Sequence, residues 1–417
     1  MNRYISHSVS FENVGAAREI ELENKLISPE YQLYHEEHTR MFKHLPLKSI
    51  LASNYLCKAE SYLAHLISAE KFQDILSIAR NFPGNVTSFL GFEIHLGDTE
   101  QRADWAFAIS GAEGDREVLV NLLKNGNLPK QFLQQPEWRH ISDFSTAWAD
   151  QNSVLQKQVK CFWLEFDMPD TLPEVLIPSV FFGPEKLPEG IASNETSRYT
   201  WLVSAALPLL RGRCLSKAME RRVLNCIKKI PETASLFQIG TMLSRSTNDV
   251  RLYINRIHLK KIIPYLNALG WSDETGEFQS LISDLENKAD RFVLSFDVND
   301  EGIGPRIGLE CSFASNRFHE ETRWNELLNY LVETGTCLPE KRDALLQYPG
   351  IEGSEDFSGG VMKPLASASQ HLESILSGTL IRYISHMKIV YLPGRSLEAK
   401  AYPAVRLFEH SDLPLYE

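Results

Sequence analysis

Five pairs of short alternating segments, each pair joined by a turn, constrain the fold of this chain more than any other feature. Polar and apolar residues alternate within each segment, and Gly, Pro, Asp or Asn marks its ends. A period of two bounded by turn residues is typical of antiparallel β-hairpins. The pattern therefore predicts five hairpins, which span residues 91–109, 161–182, 238–255, 291–313 and 386–405.

Between the hairpins, apolar residues recur at i, i+3 and i+4, which predicts amphipathic helices. About two helices separate successive hairpins, so the repeating unit is two helices followed by two strands. The units differ in length, which argues against a regular solenoid of short repeats. The predicted helices span residues 116–124, 197–210, 217–229, 258–269, 277–288, 319–333, 339–346 and 366–383.

The two faces of the predicted strands indicate how they assemble. In the first strand, Phe92 and Ile94 share one face and Glu93 and His95 share the other. The helices are available to cover the apolar faces, so the polar faces point together. We therefore expect an α/β (α+β) fold, in which ten antiparallel strands form a closed barrel with helices outside and a polar lumen inside. Two α+β domains with open, solvated sheets are the alternative.

No low-complexity linker divides the chain, so we expect one barrel domain over residues 1–417. Residues 1–85 carry helical patterns that fit part of the outer ring, although a separate partner-binding module would also accommodate them. Residues 346–364 are rich in Gly and acidic side chains, which predicts a mobile loop. That loop is either a cap over a barrel mouth or a surface insertion.

Composition excludes several classes of function. The chain has 43 Lys and Arg against 54 Asp and Glu, a net charge of −11, which disfavours a protein that grips nucleic-acid phosphates. No apolar run approaches the roughly 18 residues of a membrane span. The first residues show no signal-peptide pattern, so we expect a cytoplasmic protein. The six cysteines lie far apart and predict neither a zinc site nor a disulfide framework.

The order of helix pairs and hairpins resembles the ABBA, or prenyltransferase-barrel, fold of the dimethylallyltryptophan synthases. Three predicted strands have sequences similar to that family's motifs. Gly91-Phe-Glu-Ile-His resembles the strand whose Glu accepts an indole N–H, and Asp249-Val-Arg-Leu-Tyr resembles the strand that holds prenyl diphosphate. Glu398-Ala-Lys-Ala-Tyr resembles the closing strand with its shielding Tyr. In layout the resemblance covers most of the chain.

The resemblance implies an aromatic prenyltransferase-like transferase of secondary metabolism or peptide modification. It would move an allylic group from a prenyl diphosphate to an aromatic small molecule or peptide. Glu93 would accept the acceptor's proton, Arg251 would contact the diphosphate, and Tyr253 and Tyr402 would shield the allyl cation. Further candidates for substrate binding are Arg306, Lys388, Lys400, Trp163, Glu165, Asp297 and Glu310.

The same resemblance implies no required cofactor, with Mg²⁺ a possible one, and no metal-ligating residues. We expect a monomer or a homodimer, with neither nucleic acid nor membrane as a partner.

Some positions depart from the family's pattern and motivate two other hypotheses. Ser179 and Phe181 stand where a Lys-x-Tyr pair is expected, and Asp249 stands where an Arg is expected. The inward faces carry more acidic than basic side chains, which favours a cationic guest. The alternatives are therefore diphosphate-independent acid–base modification of a peptide or cationic precursor, and a non-catalytic peptide-binding barrel.

Side-chain partners inside the lumen are also open to prediction. As alternatives to substrate binding, Arg251 would form a salt bridge with Asp249 on the same face, and Lys388 and Lys400 would either pair with Glu398 or protect a strand edge by their charge. Neighbouring carboxylates repel each other's charge, so in pairs such as Glu165 with Asp167 or Asp297 with Glu310 one carboxyl is expected to stay protonated near neutrality and to serve as an acid beside an ionised base.

Overall fold

The strands of this computed structural model form one antiparallel sheet whose edges meet. The structure describes residues 51–84, 89–111, 115–124, 128–184, 196–245, 247–315, 318–352 and 379–408. The strands are β1 (Phe89–His95), β2 (Asp104–Ser110), β3 (Val159–Phe166), β4 (Ser179–Pro184), β5 (Ser235–Thr241), β6 (Val250–Asn255), β7 (Arg291–Val298), β8 (Ile303–Ser312), β9 (Gly350–Glu352), β10 (Thr379–Tyr391) and β11 (Glu398–Phe408).

Pairing between β11 and β1 closes the barrel. Leu90 lies opposite Val405 and His95 opposite Lys400 across this seam. β1 to β8 follow in chain order, then β10 and β11, which gives ten strands in the ring. The short β9 pairs with β10 alone. The predicted closed barrel of five hairpins is confirmed, and the alternative of two open-sheet domains is wrong.

Helices occupy the intervals between the hairpins, as predicted. The described α-helices are α1 (Ala52–Leu63), α2 (Ala69–Ala79), α3 (Asp115–Lys124), α4 (Pro136–Ala149), α5 (Val154–Gln158), α6 (Leu207–Arg211), α7 (Lys217–Lys228), α8 (Leu259–Ala268), α9 (Glu277–Leu285), α10 (Trp324–Glu333) and α11 (Pro339–Gln347). Helix α4 was not in the predicted set. Pro136 at its start fits a first helical turn, and Trp138, Ile141 and Trp148 bury one of its faces.

The hydrophobic core lies between the barrel wall and the helices. On β3, Phe162, Leu164 and Phe166 are fully buried on the outward face, while Trp163 and Glu165 point into the lumen. Burial of each such large apolar side chain contributes about 2–3 kcal/mol relative to exposure. Helix α2 joins this core through Phe72, whose ring stacks on Phe92 of β1 at a centroid distance of 6.1 Å.

Two predictions near the C-terminus need correction. The predicted helix over residues 366–383 is wrong at its end, because Thr379 already begins β10, which pairs with β9 and β11. Its sequence, Thr-Leu-Ile-Arg-Tyr-Ile, is rich in β-branched and aromatic residues, which favour strands. Within the predicted loop over residues 346–364, Gly350–Glu352 form β9. Residues 353–364, like residues 1–50 of the predicted N-terminal helices, lie outside the described residues.

One buried lysine fixes the outer layer to the barrel end. Lys341 of α11 is 4% exposed, and its ammonium donates to the carbonyl of His95 at 2.5 Å and to that of Glu100 at 2.9 Å. It also forms an ion pair with Asp98 at 3.1 Å. Three acceptors satisfy the buried charge, and α11 is thereby held against the β1–β2 turn. In the described part of the chain, no helix is both long and apolar enough to cross a membrane.

Candidate active site

The barrel lumen contains two adjoining cavities of different character. The larger, about 640 Å³, lies where β1 and β7 end and is lined mainly by charged side chains; we call it the charged cavity. The smaller, about 330 Å³, lies towards the start of those strands and is lined by Phe and Tyr rings; we call it the aromatic cavity. The residues that line both cavities are Glu93, Asp104, Glu165, Tyr253 and Tyr402.

Every Arg and Lys that lines the charged cavity in the described structure is bound to a carboxylate. Arg251 forms a bidentate pair with Asp297 at 2.7 and 2.9 Å, and Arg245 forms one with Asp167 at the same two distances. The other pairs are Arg245 with Asp167, Arg306 with Glu398, Lys388 with Glu310 and Lys400 with Glu93. The cations predicted to bind a diphosphate are therefore all in the lumen, but each already has an anionic partner.

Strand register, and not spacing along one strand, determines these pairs. Arg251 of β6 lies directly opposite Asp297 of β7, and Lys388 of β10 lies directly opposite Glu310 of β8. Directly opposed side chains are about 5 Å apart at Cβ, closer than the almost 7 Å between i and i+2 on one strand. The predicted pairing of Arg251 with Asp249 is therefore wrong.

The predicted partner of the two lumen lysines is also wrong. Glu398 pairs with Arg306 at 2.9 Å, whereas Lys388 pairs with Glu310 at 3.3 Å. The ammonium of Lys388 also lies 3.3 Å from the hydroxyl of Tyr253, to which it donates. Lysine 388 thus crosses the lumen from β10 towards β6, and it is 7% exposed.

Glu93 is held ionised at the boundary between the cavities. Burial alone would raise the pKa of its carboxyl, but hydrogen bonds from the Lys400 ammonium and the Tyr402 hydroxyl hold that pKa well below its ordinary value. The nearby Lys388 acts in the same direction. Glu93 is therefore a fixed negative charge with two donors already bound.

Two other acids of the lumen, Asp104 and Glu165, have pKa values above their ordinary values. Burial, together with the charges of Glu93 and Asp167, raises the pKa of Asp104 to about 7, against one hydrogen bond from the backbone N–H of Met168 at 2.7 Å. Burial and the nearby carboxylates of Glu93, Asp167 and Asp104 raise the pKa of Glu165 to about 8. One lumen thus holds an ionised carboxylate next to carboxyls that are protonated near neutrality.

The two predicted carboxylate pairs differ in outcome. Asp297 is bound to Arg251 and Glu310 to Lys388, so these two carboxylates are paired with cations and not with each other. Asp167 accepts hydrogen bonds from Arg245 at 2.7 Å and from Ser244 at 2.7 Å, and it contributes to the raised pKa of Glu165. An acid at Glu165 beside Asp167 is therefore consistent with the prediction, and Asp104, which the predicted pairs did not include, also has a raised pKa.

Aromatic rings form the wall of the smaller cavity. Phe89 packs edge-on against Trp163 at 4.8 Å between centroids, and the imidazole of His386 stacks on the Tyr402 ring at 4.0 Å. Phe181 of β4 and Tyr253 of β6 meet edge-on at 5.8 Å. The predicted candidates Trp163, Tyr253 and Tyr402 therefore share one wall. Such a wall suits a flat ring or a delocalised cation.

The chain folds as a closed ten-stranded antiparallel barrel with helices outside. No family model and no curated protein matches the chain. Similar solved structures include AnaPT from Neosartorya fischeri, with 12% identity, a TM-score of 0.48 and coverage of 89% of this chain and 97% of that one. The prenyltransferase PriB in its apo form has 11% identity, a TM-score of 0.49 and coverage of 87% and 99%.

A third similar structure is 5-dimethylallyltryptophan synthase from Streptomyces coelicolor, with 8% identity and a TM-score of 0.48, covering 88% of this chain and all of that one. Similarity at this level carries no information on activity. The chemistry of this lumen must therefore be argued from its own side chains.

Sequence reasoning missed several lumen residues. Arg245 lies in the turn after β5, where its guanidinium reaches Asp167. Strand alternation does not extend into a turn, so the sequence pattern could not place this side chain in the lumen. His386 shares the inward face of β10 with Lys388, so extending the alternation by one step would have found it. Within the described residues, no group of three or more His, Cys, Asp or Glu side chains is arranged to hold a metal ion.

Proposed function

We propose that this barrel is an aromatic prenyltransferase-like enzyme, which transfers an allylic group from a prenyl diphosphate to an aromatic acceptor. The observation that supports this most strongly is the division of one lumen into a charged cavity and an adjoining aromatic cavity, with Glu93 at their boundary. An allylic diphosphate has the same two parts, an anionic head and an apolar tail that becomes a cation. The acceptor ring would lie beside that tail.

Each part of the reaction has a group in the lumen. As the allylic C–O bond breaks, its electron pair leaves with the diphosphate, whose charge Arg251, Arg306 and Lys388 would stabilise. The rings of Tyr253 and Tyr402 would face the allyl cation and exclude water from it. A ring atom of the acceptor then forms the new bond to the allyl cation, and the proton that the acceptor loses passes to the carboxylate of Glu93.

The negative charge of the lumen opposes the binding of a diphosphate. The lumen acids outnumber the lumen cations, and a diphosphate would have to take over cations now bound by carboxylates. At an effective dielectric of about 20, an unpaired like charge several Å away opposes binding by a few kcal/mol. Protons on Asp104 and Glu165 lower that cost, since their raised pKa values favour the neutral form near pH 7.

Calorimetric titration with dimethylallyl and geranyl diphosphate, with and without Mg²⁺, tests the anion site. We expect micromolar binding that weakens at least about tenfold in Arg306→Ala, since a charge-assisted contact contributes about 1.5–3 kcal/mol. Arg306 is chosen because its ion pair with Glu398 is more exposed than the pair of Arg251 with Asp297. The side chains of Arg306 and Glu398 are 41% and 46% accessible, so the variant should fold.

Lys217→Ala is the matched control for that titration. Lys217 is a 91% accessible lysine on α7, outside both cavities, so its loss should leave the affinity unchanged. Absence of binding by the wild type under both Mg²⁺ conditions would contradict prenyl transfer.

A second function is favoured by one specific observation, the raised pKa values of Asp104 and Glu165 beside the ionised Glu93. These groups would supply an acid and a base near neutrality for modification of a cationic precursor without a diphosphate. Binding of a lysine-containing peptide by a protein that ignores both diphosphates would favour this function.

A further inference from the structure

Glu165 is an unusual acid of the lumen because it lines both cavities and no side chain or backbone group of the described residues binds its carboxyl. Each Arg and Lys that lines the charged cavity is bound to a different carboxylate. A polar group enclosed in a protein without a partner costs free energy, which a ligand of complementary charge would recover.

The strands beside Glu165 leave room for such a ligand. Its direct neighbours across β2 and β4 are Ala106 and Ser179, whose small side chains do not fill the space beside the carboxyl. One step further along the same inward face of β3 lies Trp163, opposite Phe181. Glu165 therefore lies where the aromatic wall begins, with open cavity beside it.

A carboxylate next to a wall of aromatic rings has the chemistry of an ammonium site. The carboxylate supplies the counter-charge, and ring faces attract a cation within about 6 Å of their centroids. We propose that Glu165 anchors the protonated amine of the aromatic acceptor, which makes the acceptor an arylalkylamine whose ring lies in the aromatic cavity. The inference rests on the proposed function, since it names the acceptor class for that same site.

The charges around Glu165 determine how this anchor responds to pH. Groups that face it or interact with it from the surrounding strands are Glu93, Asp104, Asp167, Tyr253, Lys388 and Tyr402, with Arg245 and Arg251 further members of the field. Burial and the neighbouring carboxylates raise the pKa of Glu165 and favour its protonated form near pH 7, whereas a bound ammonium favours its ionised form. Binding of an amine near pH 7 should therefore release protons.

Two indoles of matched shape test the inference, namely tryptamine and the uncharged 3-ethylindole. Each is titrated calorimetrically into the whole chain at pH 8.5, with no diphosphate present. We expect tryptamine to bind at least tenfold more tightly than 3-ethylindole, and Glu165→Gln to abolish that preference while 3-ethylindole binding persists. Glu333→Gln is the control, because it removes one carboxylate from an exposed position at the end of α10, outside both cavities, and should change the tryptamine affinity less than about twofold.

A second readout separates anchoring from a folding effect of the variant. Tryptamine titrations of the wild type at pH 7 in buffers of different ionisation enthalpy should show proton release, which disappears in Glu165→Gln. An unchanged preference in Glu165→Gln, no preference in the wild type, or no binding of either indole would overturn the inference. Because no prenyl donor is used, this result does not depend on whether a diphosphate binds.

Discussion

Arg251 and Arg306 are both paired lumen arginines, but water reaches their pairs to different extents. The side chains of Arg251 and Asp297 are 17% and 18% accessible, against 41% and 46% for Arg306 and Glu398. Removal of one partner from an enclosed pair leaves an uncompensated charge and costs about 3–5 kcal/mol, whereas exposed pairs contribute about 1 kcal/mol or less. We therefore expect Arg251→Ala to lower the free energy of unfolding by about 3 kcal/mol and Arg306→Ala by under about 1 kcal/mol.

Urea unfolding of both variants measures this difference. Arg251→Met combined with Asp297→Leu should recover most of the lost free energy of unfolding, since the double variant has no unpaired carboxylate at position 297. Equal losses for the two single variants would contradict the assignment of the Arg251 pair as the enclosed one.

The raised pKa of Glu165 makes the free energy of unfolding fall as pH rises. Its pKa of about 8 in the folded chain exceeds the ordinary 4.5, so the folded state binds more protons than the unfolded state between those values. Stability therefore declines across that window and is lowest above the folded pKa. We expect Glu165→Gln to match the wild type near pH 4.5 and to be more stable at pH 9 by up to about 5 kcal/mol, because the pKa rises by about 3.5 and one pKa unit corresponds to about 1.4 kcal/mol.

Urea unfolding of wild type and Glu165→Gln at the two pH values tests this. Asp104 should keep part of the slope in the variant, because its own pKa is raised to about 7. A difference between the two proteins that does not change with pH would contradict the raised pKa of Glu165.

At the scale of single residues, the sequence predicts which face of a strand a side chain lies on, but not which side chain of another strand it binds. Alternation along a strand placed Glu93, Arg251 and Lys388 in one lumen, where the structure also has them. The pairs Arg251–Asp297 and Lys388–Glu310 depend on the register between strands that are distant in sequence or joined by turns of uncertain length. No pattern within one strand contains that information.

At the scale of elements, glycines on the inward faces decide which long side chain crosses the lumen. A Cβ built on Gly308 of β8 would lie 2.7 Å from Cε of Lys388 and would also meet Ser295, whereas one on Gly304 of the same strand would lie 3.5 Å from Asp297. Gly308→Ala should therefore displace Lys388 from Glu310 and Tyr253. We expect it to lower the unfolding free energy by about 1–3 kcal/mol.

Gly304→Ala is the matched control on β8 and should stay within about 0.5 kcal/mol of the wild type, as an ordinary contact requires. Thermal or urea unfolding of the two variants provides the comparison. If Gly308→Ala were as stable as Gly304→Ala, the path of Lys388 past Gly308 would be wrong.

Element type followed from sequence where the period was clear. The alternating hairpins were all found, because turn residues separate their strands. The start of β10 was misread as the end of a helix, since a continuous apolar run fits either element when it is judged alone. Only pairing with β9 and β11 decides that it is a strand.

At the scale of the whole molecule, closure of the barrel produces both the lumen and its unusual charge. Polar faces that would meet water in open sheets are enclosed, so their acids and bases must pair or change protonation. The barrel closure could be predicted from ten amphipathic strands with helices between them. The balance of charge inside could not, because Asp104 and Glu165 acquire their raised pKa values only from enclosure beside other carboxylates.

The central claim is that this lumen joins an allylic group to an aromatic acceptor. The most direct measurement is incubation of the whole chain with dimethylallyl diphosphate and a panel of indoles, including tryptamine, followed by mass spectrometry for acceptors that gain one dimethylallyl group. We predict a product with the wild type and at least a hundredfold lower rate with Glu93→Gln, with Lys217→Ala as the unaffected control. Release of diphosphate without an alkylated acceptor, or equal product from Glu93→Gln, would contradict the account.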